Sequence, residues 1–131
     1  SGLEVDALDG APGVNSARFA GPAATDEDNR LKLLKLLANH AESNRRARFV
    51  CHLCLVAPSR EIFHFEGACE GRIATAASGD NGFGYDPLFI PDGYEATWGE
   101  MSATLKNRHS HRARAMRKLI AWFHKRAAAQ K

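Results

Sequence analysis

The chain has 131 residues, of which 44% are hydrophobic and 25% are charged, and its formal net charge is +3. This is the length of one domain, so we expect residues 1–131 to form a single domain, and the ordinary composition excludes a disordered or low-complexity chain. No apolar run approaches the roughly 18 residues of a membrane span, and the sequence shows no basic-then-apolar leader. We therefore expect a cytoplasmic protein without a membrane partner.

The first forty residues predict a strand, a turn and an amphipathic helix. Residues 1–8 resemble the end of a strand, residues 9–13 carry turn residues, and residues 14–19 suit a short helix. Thr25 is a suitable N-cap for a helix over residues 26–40, because acidic side chains fill its first turn. Helical spacing places the core face of this helix at Leu31, Leu34, Leu37 and Ala38.

A hairpin of two strands is predicted in the middle of the chain. Residues 49–56 alternate two mainly apolar sets, which predicts a central strand covered on both faces. Residues 58–60 turn the chain into an antiparallel partner that runs over residues 62–73. A glycine-rich loop at residues 78–87 and a short strand at residues 88–90 follow.

The three cysteines, Cys51, Cys54 and Cys69, fall within these predicted strands. An odd number without a spaced framework predicts reduced, buried thiols. Cys51 and Cys54 form a C-x-x-C pair of the kind found in redox and zinc sites, with His52 and His64 nearby. Because side chains three residues apart in a strand point to opposite faces, we expect neither kind of site.

The last predicted helix begins after Ser110, a suitable N-cap, and its apolar spacing predicts an inward face of Ala113, Met116, Ile120 and Phe123. From residue 106 onward there are nine basic residues and no acidic one, namely Lys106, Arg108, Arg112, Arg114, Arg117, Lys118, Lys125, Arg126 and Lys131. Such a segment attracts polyanions. For most of these residues a solvated helix face is the simpler interpretation, so nucleic-acid binding is not expected.

The most informative motif is GFGYDP at residues 82–87. Its glycines can adopt backbone angles closed to other residues, so the loop can fold tightly against a ligand. Phe83 or Tyr85 can stack on a nucleobase, a contact worth roughly 1–3 kcal/mol, and Asp86 adds a carboxylate. The alternative is a hairpin loop whose aromatic side chains pack into the core.

A second polar group lies at the start of the last helix and consists of Lys106, Ser110, His111 and Arg112. Free backbone N–H groups at a helix start favour an anion or a carbonyl oxygen. A pocket walled by Lys106, His111 and Arg112 offers donors and few acceptors, which suits a 6-keto purine better than a 6-amino purine. The alternative for His111 is a helix-capping histidine.

Together with SGLEV at residues 1–5, GVNSAR at residues 13–18 and KNRHSHR at residues 106–112, these motifs resemble the inosine triphosphate pyrophosphatase family, also called Ham1-like. The resemblance implies hydrolysis of noncanonical purine nucleotides (ITP, dITP or XTP) to the monophosphate and pyrophosphate, with Mg²⁺ as cofactor, by a homodimer. It also implies an α/β fold with an elongated mixed β-sheet and flanking helices. The residues that match the substrate contacts of the family are Ser1, Phe83, Gly84, Tyr85, Asp86, Lys106, His111 and Arg112.

The sequence lacks three features that the family carries ahead of the Ser-Gly-Leu motif. These are a Thr/Ser-x-Asn-x-x-Lys phosphate-binding segment, a metal-binding Glu, and a general-base Asp directly before the residue that matches Ser1. We therefore expect an N-terminally truncated member, the C-terminal portion of the fold, with no catalytic residue and no metal ligand in the chain. Glu4 and Asp6 lie close in sequence to the missing ligands, although sequence proximity does not place a carboxylate on a metal. Asn15 and Trp98 also depart from the family pattern and are expected to change packing near the pocket.

Two functions remain open. One is a nucleoside triphosphate pyrophosphatase whose 131 residues alone give little turnover. The other is a catalytically impaired purine-nucleotide-binding or dimerisation module. Loss of N-terminal strands would leave a sheet edge unpaired, which favours a homodimer, including a domain-swapped one.

Overall fold

The computed structural model describes residues 1–129, apart from the side chain of residue 42. Lys131, which we counted in the basic segment, lies outside the described residues. The strands and helices, in chain order, are β1 (Gly2–Val5), β2 (Pro12–Gly13), α1 (Asp26–Leu36), β3 (Arg46–Val56), β4 (Ile62–Ile73), β5 (Phe89–Pro91), α2 (Ala103–His109) and α3 (His111–Ala129).

The five strands form one sheet in the order β2-β1-β3-β4-β5. The long hairpin of β3 and β4 is its centre, with Phe49 opposite Cys69, and β5 adds to the far edge of β4. The predicted α/β arrangement of a sheet with flanking helices is confirmed. The expected mixed pairing differs from what is found, since every strand pair among residues 1–129 is antiparallel.

The core lies on one face of this sheet. Ala47, Phe49 and Cys51 of β3 are buried there, while alternate residues such as Arg48 and His52 are partly or fully exposed. The prediction that β3 is covered on both faces is therefore wrong. Its second face carries Arg48, whose guanidinium pairs with Glu70 and Asp6 at 2.9 Å, an arrangement that remains accessible to water.

Helix α1 begins where the sequence predicts and ends earlier. Thr25 and Asp28 form a capping box, which confirms the N-cap, and the helix ends at Leu36. Its buried face carries Asn29, Leu33 and, just beyond the end, Leu37, whereas Leu31 is exposed. The expected stripe is confirmed for Leu34 and Leu37, which pack in the core, and is wrong for Leu31 and Ala38, which are exposed. Asn29 is buried on the same face: its side chain accepts a hydrogen bond from the Ala20 N–H and donates one to the Ala17 carbonyl.

Helix α3 also turns a different face to the sheet. Ser110 caps it as predicted, since the Ser110 hydroxyl accepts from the Ala113 N–H at 3.2 Å. The buried residues are His111 and Ala115, whereas Met116, Ile120 and Phe123 are exposed, so the predicted inward face is wrong. The reason is a close backbone approach at Gly67 of β4: a Cβ there would collide with the His111 carbonyl and the Ala115 nitrogen. Small residues face each other at this contact.

The three cysteines, all within the described residues, differ in burial. Cys51 and Cys69 are buried and Cys54 is exposed, all three free, so the predicted opposite orientation of Cys51 and Cys54 is confirmed and the burial of Cys54 is wrong. Cys54 is exposed because it lies on the uncovered face of β3.

Among residues 1–129, no helix combines the length and the apolar character that crossing a bilayer requires.

Candidate functional site

A cavity of about 190 Å³ opens where the start of β1, the loop over residues 82–87 and the junction of α2 with α3 meet. All eight predicted site residues line it: Ser1, Phe83, Gly84, Tyr85, Asp86, Lys106, His111 and Arg112. The predicted convergence of the glycine-rich loop and the start of the last helix is therefore confirmed. The cavity is also lined by residues that the sequence did not identify as site residues, including Ser16, Asp26, Asn29 and Phe49.

The loop owes its shape to Asp86. Its carboxylate Oδ2 accepts a hydrogen bond from the Phe83 N–H at 3.2 Å and one from Lys106 Nζ at 2.6 Å. Gly82 has a φ of +73°, and a Cβ at this position would collide with the Asp86 carboxylate. Glycine is therefore required at residue 82 both for its backbone conformation and for the room it leaves.

The Asp86–Lys106 ion pair is shielded from solvent, with side chains 4% and 16% exposed. A charged hydrogen bond of this length in a low-dielectric setting holds the ammonium group in one place. Lys106 Nζ also lies 4.9 Å from the centre of the Phe83 ring. The pair thus fixes a cation next to an aromatic face at the cavity wall.

Phe83 and Tyr85 differ in their availability to a ligand. The Phe83 side chain is 61% exposed, with the Arg112 guanidinium 5.7 Å from its centre. Tyr85 is buried, and its hydroxyl donates to the Ser16 carbonyl at 2.7 Å. Burial raises the pKa of Tyr85. The alternative in which the loop aromatics pack into the core thus holds for Tyr85 and fails for Phe83, whose ring is free to stack on a ligand.

The loop is also held from outside by helix α1. The Gly84 N–H donates to the Asp26 carboxylate at 2.9 Å, and the Gly84 carbonyl accepts from Arg30 Nη1 at 2.7 Å. From the sequence, Asp26 was expected only to be one of the acidic residues in the first turn of this helix. Contacts between residues more than fifty positions apart leave no local pattern by which they could have been found.

His111 forms the inner wall of the cavity and is uncharged at neutral pH. Burial, followed by the charges of Arg112 and Lys106, lowers the pKa of His111 to about 4. Its ring stacks on Phe49 with centroids 5.0 Å apart, and its Nδ1 is buried without a hydrogen-bond partner among residues 1–129. Because Ser110 is the N-cap, the interpretation of His111 as the capping residue is wrong. The unpaired nitrogen leaves one polar atom available in the wall.

The sequence profile of the Ham1 family matches residues 1–122. The chain belongs to the Ham1 family. It is 55% identical over 121 residues to a protein of Exiguobacterium sp. AT1b and 53% identical over 121 residues to one of Rhodopirellula baltica, both named dITP/XTP pyrophosphatase. The matches cover 92% of this chain and 61% and 58% of those proteins.

Solved structures of Ham1 proteins have the same fold. The Staphylococcus aureus Ham1 protein superposes with a TM-score of 0.91 at 42% identity, and a HAM1 protein from Coxiella burnetii with a TM-score of 0.88 at 36% identity. In both cases the match covers 95% of this chain and 64% of the other chain. The chain thus spans about three fifths of the length of these Ham1 relatives.

The acidic residues of this Ham1 chain do not fit a magnesium site. Glu4 and Asp6 face Arg48 at 3.9 and 2.9 Å, and the two acidic residues of the cavity, Asp26 and Asp86, accept hydrogen bonds from Gly84 and Lys106. No group of three or more His, Cys, Asp or Glu side chains in residues 1–129 is arranged to hold a metal ion. The described part of the Ham1 fold therefore supplies a cavity wall and not a metal centre.

Basic residues of the last helix fasten it to the sheet and to α2. Arg114 Nη1 donates to the Ala68 carbonyl at 2.8 Å and Lys118 Nζ to the Glu66 carbonyl at 2.6 Å, both on β4. Arg117 Nη2 donates to the Arg108 carbonyl at 2.7 Å. These side chains occupy backbone acceptors, so much of the positive charge of α3 serves the packing of the Ham1 fold.

Proposed function

We propose that the protein is a nucleoside triphosphate pyrophosphatase that hydrolyses ITP, dITP or XTP to the monophosphate and pyrophosphate. In this proposal the cavity of residues 1–129 holds the purine base. The observation that carries it is the position of the Phe83 ring, which is exposed at the cavity wall next to Lys106 and Arg112. Membership of the Ham1 family and the names of its relatives support the same reaction.

The base would stack on Phe83, since aromatic stacking is available to any base and is worth roughly 1–3 kcal/mol. Lys106 and Arg112 carry only donors, so they would pair with the 6-keto oxygen of hypoxanthine or xanthine. Adenine would place its amino group against these donors. A site that leaves its own polar groups unpaired with the wrong ligand can discriminate strongly, which supports selection of keto purines.

A second candidate is nucleotide binding without hydrolysis by residues 1–129. It is favoured by one observation, that the two carboxylates of the cavity, Asp86 and Asp26, are engaged with Lys106 and Gly84. Mg²⁺ stays an expectation of the family resemblance, and the residues described do not provide its site. Pyrophosphate release from ITP and XTP separates the two candidates. Clear, enzyme-dependent turnover would support the proposed pyrophosphatase and overturn this second candidate, whereas nucleotide binding without pyrophosphate release would support the second candidate.

The test of base recognition is calorimetric titration with ITP, XTP, GTP and ATP. We expect ITP and XTP to bind at least about tenfold more tightly than ATP, a difference of about 1.4 kcal/mol. Phe83→Leu should weaken every nucleotide, whereas the matched change Phe123→Leu, on an exposed ring away from the cavity, should weaken none. Equal affinity for ITP and ATP would contradict the proposed role of Lys106 and Arg112.

We further propose that the protein is cytoplasmic and forms a homodimer, with a domain-swapped dimer as a special case. Three free cysteines support a reducing compartment. The exposed apolar side chains Met116, Ile120 and Phe123 on one side of α3 support self-association. Light scattering at tens of micromolar should give a dimer, and a monomer would contradict this proposal.

A further inference from the structure

A hydrogen bond behind the cavity wall connects two side chains that the proposed reaction does not use. The indole N–H of Trp98 donates to Nε2 of His109 at 2.9 Å. Trp98 is fully buried at the start of the turn Trp98–Glu100, and His109 is the last residue of α2. Because an indole nitrogen can only donate, Nε2 of His109 must be an unprotonated acceptor. The contact therefore requires a neutral His109 with its proton on Nδ1.

The surroundings of His109 favour this neutral form. Burial, and then the charge of Arg114 on α3, lower the pKa of His109. A weaker opposing effect comes from the backbone of Leu105, whose contact with the imidazole falls short of a full hydrogen bond. The Tyr94 ring stacks on the imidazole with centroids 5.0 Å apart. The other ionisable groups near it in the chain are the basic side chains of Lys106 and Arg108 on α2 and the neutral His111 on α3.

Trp98 in turn supports two predicted substrate contacts. Its ring stacks on His111 with centroids 5.7 Å apart and planes 17° apart, and Lys106 Nζ lies 5.0 Å from its centre. It also stacks on Phe49 at 5.0 Å, the ring that packs against His111 from the sheet. The indole is therefore a shared support for the imidazole and the ammonium group of the cavity.

We propose that His109 is a positioning residue of the cavity, whose neutral Nε2 holds the Trp98 indole in the orientation that supports His111 and Lys106. The inference rests on the proposed function, because the positioned groups are its purine contacts. His109 itself does not line the cavity. A protonated His109 would present an N–H to the indole N–H, so the support operates only while His109 is neutral.

The test compares two replacements of His109 in a Trp122→Phe background, where Trp98 is the one remaining tryptophan of the two in the sequence. His109→Gln keeps an acceptor near the position of Nε2 and does not titrate. His109→Leu keeps the volume and removes the acceptor. We expect His109→Leu to weaken ITP binding about tenfold at pH 7.5, and His109→Gln to stay within about threefold of the parent.

The pH profile of Trp98 emission distinguishes positioning from simple packing. In the parent the emission should show a step with a midpoint below the ordinary histidine pKa of 6.5 that both variants lack. The step of His111, whose ring also stacks on the indole and whose pKa is about 4, should remain in the parent and in both variants. Equal ITP affinities for His109→Leu and His109→Gln, or a Trp98 emission that is the same in the parent and in His109→Leu, would overturn the proposal.

A failure of the proposed function gives a different result. If the parent binds no nucleotide, the positioning role of His109 is tested by NMR through the imidazole resonances of His111. Positioning predicts that they shift in His109→Leu and keep the parent values in His109→Gln. Unchanged His111 resonances in His109→Leu would overturn the positioning role, whatever the ligand of the cavity is.

Discussion

The two ends of the β3–β4 hairpin contain similar apolar side chains and use them differently. At the pocket end, residues 46–51 and 67–73, the apolar side chains of the core face are buried and helix α3 packs directly on the strands. At the tip end, residues 54–64, Val56 and Ile62 are exposed, and Phe123 near Val56 on α3 is 49% exposed. Apolar content therefore does not determine where this chain is firmly packed. Glycine and polar anchors at the pocket end do.

The largest expected effect contrasts a buried and an exposed phenylalanine. Phe89 is fully buried against Phe49 and Trp98, whereas Phe123 lies at the tip end. Phe89→Ala should lower the free energy of unfolding by about 4 kcal/mol, because it removes buried apolar area and leaves a cavity. At protein concentrations low enough to keep the chain monomeric, Phe123→Ala should change it by less than about 0.5 kcal/mol. Urea denaturation measures both, and a cost above about 1 kcal/mol for Phe123→Ala would show that another surface covers this side chain.

The second contrast uses two ion pairs of equal length. Asp86 pairs with Lys106 in the shielded cavity wall, and Asp92 pairs with Arg46 at the surface, both at 2.6 Å. Asp86→Ala should cost about 3 kcal/mol because it strands the Lys106 ammonium and frees the loop. Asp92→Ala should cost less than about 1 kcal/mol, since its partners are exposed and screened by solvent. Equal costs in chemical denaturation would contradict the burial argument.

The protonation of His111 gives the pocket end a pH dependence. Above pH 6.5 the histidine is neutral in both the folded and the unfolded chain, and below it the unfolded chain takes up a proton that the folded chain resists down to about pH 4. The free energy of unfolding should therefore fall with decreasing pH across this window, by about 3 kcal/mol in total. Denaturation midpoints between pH 7 and pH 4 measure the effect. His111→Gln should flatten the profile, and an unchanged slope in this variant would assign the effect to other groups.

A smaller effect is expected at the contact between β4 and α3. Gly67→Ala should cost about 2 kcal/mol, because the added methyl group collides with backbone atoms of His111 and Ala115 that cannot rotate away. The variant should also displace His111, which is visible as a shift of its NMR resonances. The matched change Ala68→Ser, on the opposite face of β4, should leave both measurements close to the parent. A neutral Gly67→Ala would show that α3 can move outward without cost.

Local chemistry allowed the correct prediction of several elements. The bounds of β4 and the caps Thr25 and Ser110 follow from alternation and from side-chain oxygens placed ahead of helical patterns. The meeting of the GFGYDP loop with the start of α3 was also correctly predicted, because both groups suit one ligand. The strand bounds and the caps depend on residues within a few positions of one another, whereas the meeting of the two motifs was inferred from the ligand chemistry that they share.

The faces of the helices could not be predicted in the same way. In α1 only Leu34 and Leu37 of the predicted stripe pack in the core, and the buried Asn29, with hydrogen bonds to Ala17 and Ala20, is a polar residue that hydrophobic periodicity does not indicate. In α3 the larger apolar residues suggested the wrong side, because Gly67 and Ala115 allow a backbone contact that hydrophobic periodicity does not indicate. Tertiary contacts therefore determine which faces of α1 and α3 are buried.

The two hydrogen bonds of Gly84 to helix α1 have a consequence for folding. They join residues 54 and 58 positions apart, so the entropy of closing a long loop must be overcome before this wall of the cavity exists. The cavity is thus assembled by non-local contacts and is absent from a chain that has formed only its helices and hairpin. Any molecule that occupies it selects the fully folded chain, so its concentration shifts the folding equilibrium and its depletion exposes the chain to unfolding.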